Sequence, residues 1–141
     1  MFKTILVALD ESEVSHKIMG ALEQIHLAPT AKIILSHVLP DTGNDLELAA
    51  DLPQTYAEEI PYRHIEKLLQ KYQQELPCTS ELEIVTGDPA EEIIRLSHIY
   101  ECDLIVIGCR GLKGMRRILE GSVSSEVVAD APCSVLVVNP Q

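Results

Sequence analysis

Between Val106 and Ser125 the chain reads VIGCRGLKGMRRILEGSVSS, and here residue type and spacing point to chemistry. Gly108, Gly111 and Gly114 follow an apolar run at even spacing, and Gly121 stands directly before Ser122. Glycine admits positive φ and lets a ligand come up to bare backbone. After Gly121 helical spacing resumes with Val123, Val127 and Val128, and Ser122 or Ser124 is suited to cap that helix. A strand, a glycine-rich turn and a helix N-terminus together form an anion site, because free N–H groups and the helix dipole converge where a phosphate would sit. Arg110, Lys113, Arg116 and Arg117 fall within eight residues, with no acidic residue between Asp103 and Glu120. The whole chain carries a formal net charge of −11, so this local enrichment in cations favours an anionic ligand over an ordinary solvated basic loop.

The elements that must position this stretch are legible on both sides of it. Ile5–Leu9 is continuously apolar, as suits a strand buried on both faces of a parallel sheet, and Asp10 ends it. Ser12 offers a cap, and Ile18, Ala21, Leu22 and Ile25 follow at helical spacing. Pro29 stands past that helix, Ala31–Val38 reads as a second strand, and Pro40 closes it. Residues 41–59 are polar, acidic and broken by Gly43 and Pro53, which predicts a long loop with at most a short helical turn. The helical period returns from about Pro61 with Ile65, Leu68, Leu69, Tyr72 and Leu76, and Pro77 stops it.

Ser80–Thr86 alternates apolar and charged residues, the pattern of an edge strand with one wet face. Gly87 turns the chain, Asp88 is a cap with Pro89 at the first helical position, and Glu91 completes a capping box. Ala90, Ile93, Ile94, Ser97 and Tyr100 form the inward face of that helix. Asp103–Ile107 is a fourth strand, and Ser134–Val138 a fifth after Ala131-Pro132. Alternating strand and helix predicts an α/β sandwich on a parallel sheet, with four helices on its two faces.

Composition narrows the function. The length of 141 residues fits a single domain spanning 1–141, and 46% apolar residues suffice for a packed core. Tryptophan is absent and Phe2 is the one phenylalanine, so the core is aliphatic. No apolar run reaches the roughly 20 residues of a membrane helix. The N-terminal apolar run is broken at Asp10 and does not read as a secretory signal, which predicts a cytoplasmic protein. The acidic balance argues against nucleic acid, which needs a broad basic surface.

Cys78, Cys102, Cys109 and Cys133 have no C-x-x-C spacing and read as reduced thiols. Cys109, between Gly108 and Arg110, is the one placed where a redox role is open. His16, His26, His37, His64 and His98 are scattered, and none joins Cys, Asp or Glu at metal spacing, so no protein metal site is expected.

The phosphate motif is neither a Walker A loop nor the G-x-G-x-x-G fingerprint. It is G-x-x-G, nine residues, then G-S: Gly108, Gly111, Gly121, Ser122. This pattern resembles the nucleotide-binding signature of the universal stress protein family. ILVALDESE, GDPAEEI, DLIVIGCRG and APCSVLVV resemble that family in its usual order, over nearly the whole chain. The resemblance implies a five-stranded doubly wound sheet of order 3-2-1-4-5, whose switch point lies between the first and fourth strands. Asp10 and Gly108 are the residues that leave those strands, so motif and fold geometry place a ligand together.

The resemblance further implies binding of ATP or a related adenine nucleotide, with Mg²⁺ bridging phosphate oxygens. Gly108, Gly111, Gly121 and Ser122 match the motif; Ser124 fits a phosphate-facing hydroxyl, with Val123 between the two serines and Arg110 inside the loop. Asp10 suits a ribose or a metal, and Ala8 and Val38 match positions that line adenine. The chain departs from the family at Ala8, often proline there, and at Cys109, where Ser or Thr is frequent.

A homodimer through the C-terminal strand is likewise implied, and Ser134–Val138 as the last strand added is an apolar edge that invites it. No general base for rapid phosphoryl transfer can be assigned, so hydrolysis is at most slow. An AMP or cyclic AMP sensor and a nucleotide-independent partner-binding dimer are the alternatives.

Overall fold

The computed structural model describes residues 1–10, 14–40, 54–109 and 122–139; for Pro40, residues 54–61 and Ser122 the description is of the backbone. In chain order the elements are β1 (Phe2–Ala8), α1 (Val14–Glu23), β2 (Leu27–Pro40), α2 (Gln54–Gln74), β3 (Thr79–Gly87), α3 (Pro89–Ile99), β4 (Leu104–Gly108), α4 (Ser122–Asp130) and β5 (Ser134–Val138). The strands form one sheet of order β3-β2-β1-β4-β5, and every neighbouring pair is parallel. This is the expected doubly wound sandwich.

Because side chains alternate across a strand, the central strands feed two separate cores. On one face Ile5, Val7, Ile33, Leu35, Leu104 and Val106 are buried with Ile18, Met19 and Leu22 of α1 and Ile65, Leu69 and Tyr72 of α2. On the other, Leu6, Ile34, Ile105 and Ile107 are buried with Ala90, Ile93 and Leu96 of α3 and Val127 of α4. Each fully buried aliphatic side chain is worth about 1.5–3 kcal/mol of transfer free energy, so these two layers dominate the stability.

Several boundaries differ from expectation for local reasons. β2 begins at Leu27, before Pro29, and not at Ala31. The β1–β2 register jumps from Phe2↔Leu27 to Thr4↔Lys32, and Pro29 falls inside that irregularity, where no ladder N–H is required of it. α2 begins at Gln54, inside the stretch expected to be loop, and runs through Pro61. Proline lacks the donor for the carbonyl four residues earlier, so the sequence signal for a helix start at Pro61 is natural, yet the helix exists on both sides of it. In α3 the Asp88 carboxylate accepts from the Glu91 N–H at 3.1 Å and Pro89 takes the first helical position. No reciprocal bond from the Asp88 N–H to the Glu91 carboxylate is formed among the described residues, so this is half a capping box. Leu96, not Ile94, is buried on its inward face.

α3 ends in a Schellman arrangement. The Glu101 N–H donates to the His98 carbonyl (3.2 Å) and the Cys102 N–H to the Ser97 carbonyl (2.9 Å). Glu101 has φ 50°, the left-handed conformation usually given to glycine at this position. Asp103 then fastens the start of β4 to β1: its two carboxylate oxygens accept from the Lys3 N–H (2.9 Å) and the Thr4 N–H (3.0 Å).

Candidate functional site

The strand order places the reversal of winding between β1 and β4, at the carboxyl ends of both strands. The last β1–β4 pair is Ala8↔Ile107, and β4 then ends at Gly108, paired with Val138 of β5. Gly108 therefore completes the strand where a sharp turn was expected. Among the described glycines only Gly87 has positive φ (150°). What Gly108 provides is space. A β-carbon there would lie 2.4 Å from Cγ1 of Val14 and 2.9 Å from Cδ1 of Ile18, so the absent side chain lets the first turns of α1 close onto the end of β4. The Cys109 N–H continues the ladder by donating to the Val138 carbonyl at 3.0 Å, so it is committed to the sheet.

Three of the expected contact residues pack against the same buried cluster. Ala8 at the end of β1, Val38 near the end of β2 and Val123 in the first turn of α4 are all half-buried and pack on the α3–α4 core, with Val85 of β3 beside them. Val38 is the register partner of Val85, and Ala8 stands at the last β1–β4 pair, at the switch point. Ser124 follows Val123, is buried, and lies inside the helix; Ser122 is the first helical residue, so neither serine is the residue before the helix that was expected to cap it. Arg110, Gly111 and Gly121 lie outside the described residues, as do Lys113, Arg116 and Arg117.

Asp10 sits where expected, just beyond β1, beside His37 near the end of β2 and beside Ser15, which sequence reasoning passed over. Buried Ser15 of α1 accepts from the Asp10 N–H at 3.0 Å and donates to the Asp10 carbonyl at 2.7 Å. Preceding Asp10, the Leu9 N–H donates to the Ser36 carbonyl at 2.8 Å. Nδ1 of His37 lies 2.7 Å from the Leu9 carbonyl; a carbonyl can only accept, so Nδ1 carries the hydrogen. The buried Ser36 hydroxyl donates to the Val7 carbonyl at 3.0 Å and ties β2 to β1 one residue before Ala8.

Burial, with Glu75 and Asp10 adding negative charge, raises the pKa of Tyr72 above its ordinary value.

Among the described residues no group of three or more His, Cys, Asp or Glu side chains could hold a metal ion, and no helix is long and apolar enough to cross a membrane. All four cysteines are free. The Cys102 thiol is pushed up to about 12 by burial, with Cys133 and Asp103 contributing, and burial also raises Cys133 and Cys78.

This arrangement has close relatives. The family model described as "Universal stress protein family" matches residues 1–139. A universal stress protein of Thermus aquaticus is 31% identical over 98% of this chain and 99% of its own. The solved structure of hypothetical protein MJ0577 superposes with a TM-score of 0.80 at 26% identity, over 100% of this chain and 98% of that one. The same fold occurs at 24% identity and TM-score 0.70 in a universal stress protein in complex with cyclic AMP, covering 97% and 96% of the two chains. It occurs again at 20% identity and TM-score 0.67 in an Arabidopsis thaliana family protein with AMP bound, covering 99% and 92%. Fold and sequence match over essentially the full length, and the chain belongs to the universal stress protein family.

Proposed function

We propose that this chain is a nucleotide-binding member of its family, taking ATP or a related adenine nucleotide at the carboxyl ends of β1, β2 and β4. The observation that carries this reading is that Ala8, Val38 and Val123 are half-buried apolar residues packed on one core, Ala8 at the switch point itself, with Asp10 held by Ser15 just beyond β1. Small apolar side chains there suit the face of an adenine ring, and a carboxylate just beyond the end of β1 suits ribose hydroxyls. In this reading the motif of Gly108, Gly111, Gly121 and Ser122 lies along the phosphates. The N-terminus of α4 at Ser122–Ser124 and the cation of Arg110 favour their negative charge.

The packing role of Gly108 is compatible with this. Its β-carbon position is filled by Val14 and Ile18 of α1, so in this reading phosphate approaches the backbone from the other side. Mg²⁺ would be held mainly by phosphate oxygens and water, which requires no preformed cage of protein ligands. The AMP and cyclic AMP complexes of two structural neighbours support adenine as the base, and they favour a monophosphate sensor as the second reading.

The physiological role that follows is a cytoplasmic stress-response binding protein, working as a homodimer through β5. Hydrolysis is slow at most, well below the median enzyme rate of about 10 s⁻¹, because no residue among those described is placed as a general base. A nucleotide-independent dimer is the reading that Ala8, Val38 and Val123 argue against.

Mass analysis of small molecules released from the purified protein, followed by calorimetric titration with ATP, AMP and cyclic AMP, tests the proposal. Release of an adenine nucleotide and saturable binding are expected. Absence of binding by all three would overturn it. Phosphate release under saturating Mg-ATP measures turnover, and a rate near the median would reveal a catalytic group that this reading lacks.

A further inference from the structure

Two side chains from different elements fasten the pair Leu9–Asp10 where it leaves the sheet. From α1, Ser15 accepts from the Asp10 N–H (3.0 Å) and donates to the Asp10 carbonyl (2.7 Å). Its Oγ also stands 3.3 Å from Oδ1 of Asp10, but the hydroxyl has one hydrogen and the shorter contact takes it. From β2, Nδ1–H of His37 donates to the Leu9 carbonyl (2.7 Å), and the Leu9 N–H donates to Ser36 (2.8 Å). Every backbone N–H and C=O from Leu9 to Asp10 is therefore committed. Burying Ser15 completely would be costly unless its hydroxyl were satisfied, and the groups that satisfy it are those of Asp10.

We infer that Ser15 and His37 are positioning residues, which hold Asp10 so that its carboxylate meets the ribose hydroxyls of a bound nucleotide. The inference rests on the nucleotide reading above and deepens it, by making the site selective for an intact ribose through residues that need not touch the ligand. A carboxylate on a short side chain reaches a diol only if its own backbone is held within a fraction of an ångström. Charge-assisted hydrogen bonds of this kind are the ones whose loss is most strongly felt.

The test compares ATP with 2′,3′-dideoxy-ATP, which lacks the hydroxyls, on the full-length protein. The wild type is expected to prefer ATP by about tenfold or more, the factor for one lost hydrogen bond of this type. Ser15→Ala is expected to lower ATP affinity about tenfold while leaving dideoxy-ATP affinity unchanged, so that the preference collapses. A merely structural role would weaken both nucleotides alike. His37→Ala, at a half-exposed ring, is expected to reduce the preference in the same direction, and it carries the test should Ser15→Ala fail to fold.

A preference that survives in the folded variants, or equal weakening of both nucleotides, overturns the positioning role alone. Equal binding of the two nucleotides by the wild type overturns the ribose grip, and the positioning role with it, while leaving nucleotide binding intact. No binding of ATP by the wild type overturns all of these together.

Discussion

The α-carbon of Gly108 and Cγ1 of Val14 stand so close that a β-carbon on Gly108 would lie 2.4 Å from that methyl, inside any real contact distance. The end of β4 and the start of α1 are thus fitted to each other through a missing side chain. Gly108→Ala is expected to destabilise the fold by about 1–3 kcal/mol, the usual cost of overpacking. Ile18 can swing its terminal methyl away, but Val14 is β-branched and stiff on its helix. Adding Val14→Ala should therefore recover much of the loss. Urea denaturation of the single and double variants checks this, and additive losses would show that the two positions do not share the strain.

Glu101 holds a left-handed conformation at φ 50°, which costs an L-residue about 1–2 kcal/mol. Glycine removes that cost but gives the unfolded chain more freedom, so Glu101→Gly should stabilise by a net of about 0.5–1 kcal/mol. The expected sign is a higher urea midpoint at unchanged slope. A lower midpoint would mean that the carboxylate of Glu101 contributes more than its backbone costs.

Burial moves the Cys102 thiol from an ordinary 9.0 up to about 12. A raised folded pKa means that the neutral thiol is favoured by folding. Its contribution is whole below about pH 9 and is lost as pH climbs through 12. Relative to Cys102→Ala, the wild type should therefore lose stability progressively across that window. Denaturation midpoints of both proteins at pH 8 and pH 11 make the comparison, and parallel pH profiles would contradict it.

Leu136 and Val137 of β5 are 37% and 39% exposed, and β5 pairs only with β4 among the described strands. An apolar edge of this kind favours pairing with a second copy about a two-fold axis. Val137→Lys should place like charges near that axis and shift the protein to monomer in sedimentation at micromolar concentration. A wild type that is already monomeric there would remove the expectation.

Gly121→Val is expected to abolish ATP binding while leaving the fold intact, because a β-branched side chain fills the space for phosphate approach. Gly121 lies outside the described residues, so this expectation stands on its place in the motif. Calorimetric titration of the folded variant decides it, and unchanged affinity would count against the motif.

Much of the architecture was legible because its causes are local and periodic. The unbroken apolar runs of β1 and β4 announce strands buried on both faces, and the alternation of Leu82 and Ile84 with Glu81 and Glu83 announces an edge; the sheet puts each where that implies. The start of α2 was hidden, since a polar stretch and Pro61 both argue against the helix that tertiary structure supports. Gly108 was read as a turn because glycine has two uses, and sequence does not tell an unusual φ from a close approach. Ser15 gave no signal, and His37 only its place near the end of the second strand, close to the expected site. Their roles come from bonds to Asp10 and Leu9, and for His37 that contact spans 28 positions of the chain.

The two borders of the sheet are chemically unlike. At the β3 border Glu81 is paired with Lys32 at 3.0 Å, Glu83 accepts from the Tyr100 hydroxyl, and the Lys32 ammonium lies 5.3 Å from the Tyr100 ring centre. The β5 border carries bare valine and leucine. In the language of polymer growth, such a molecule is a monofunctional monomer. One adhesive end would permit a single coupling event, and the charged opposite end would terminate it. Growth through sheet edges would stop at two subunits, whereas two adhesive borders would propagate a fibre.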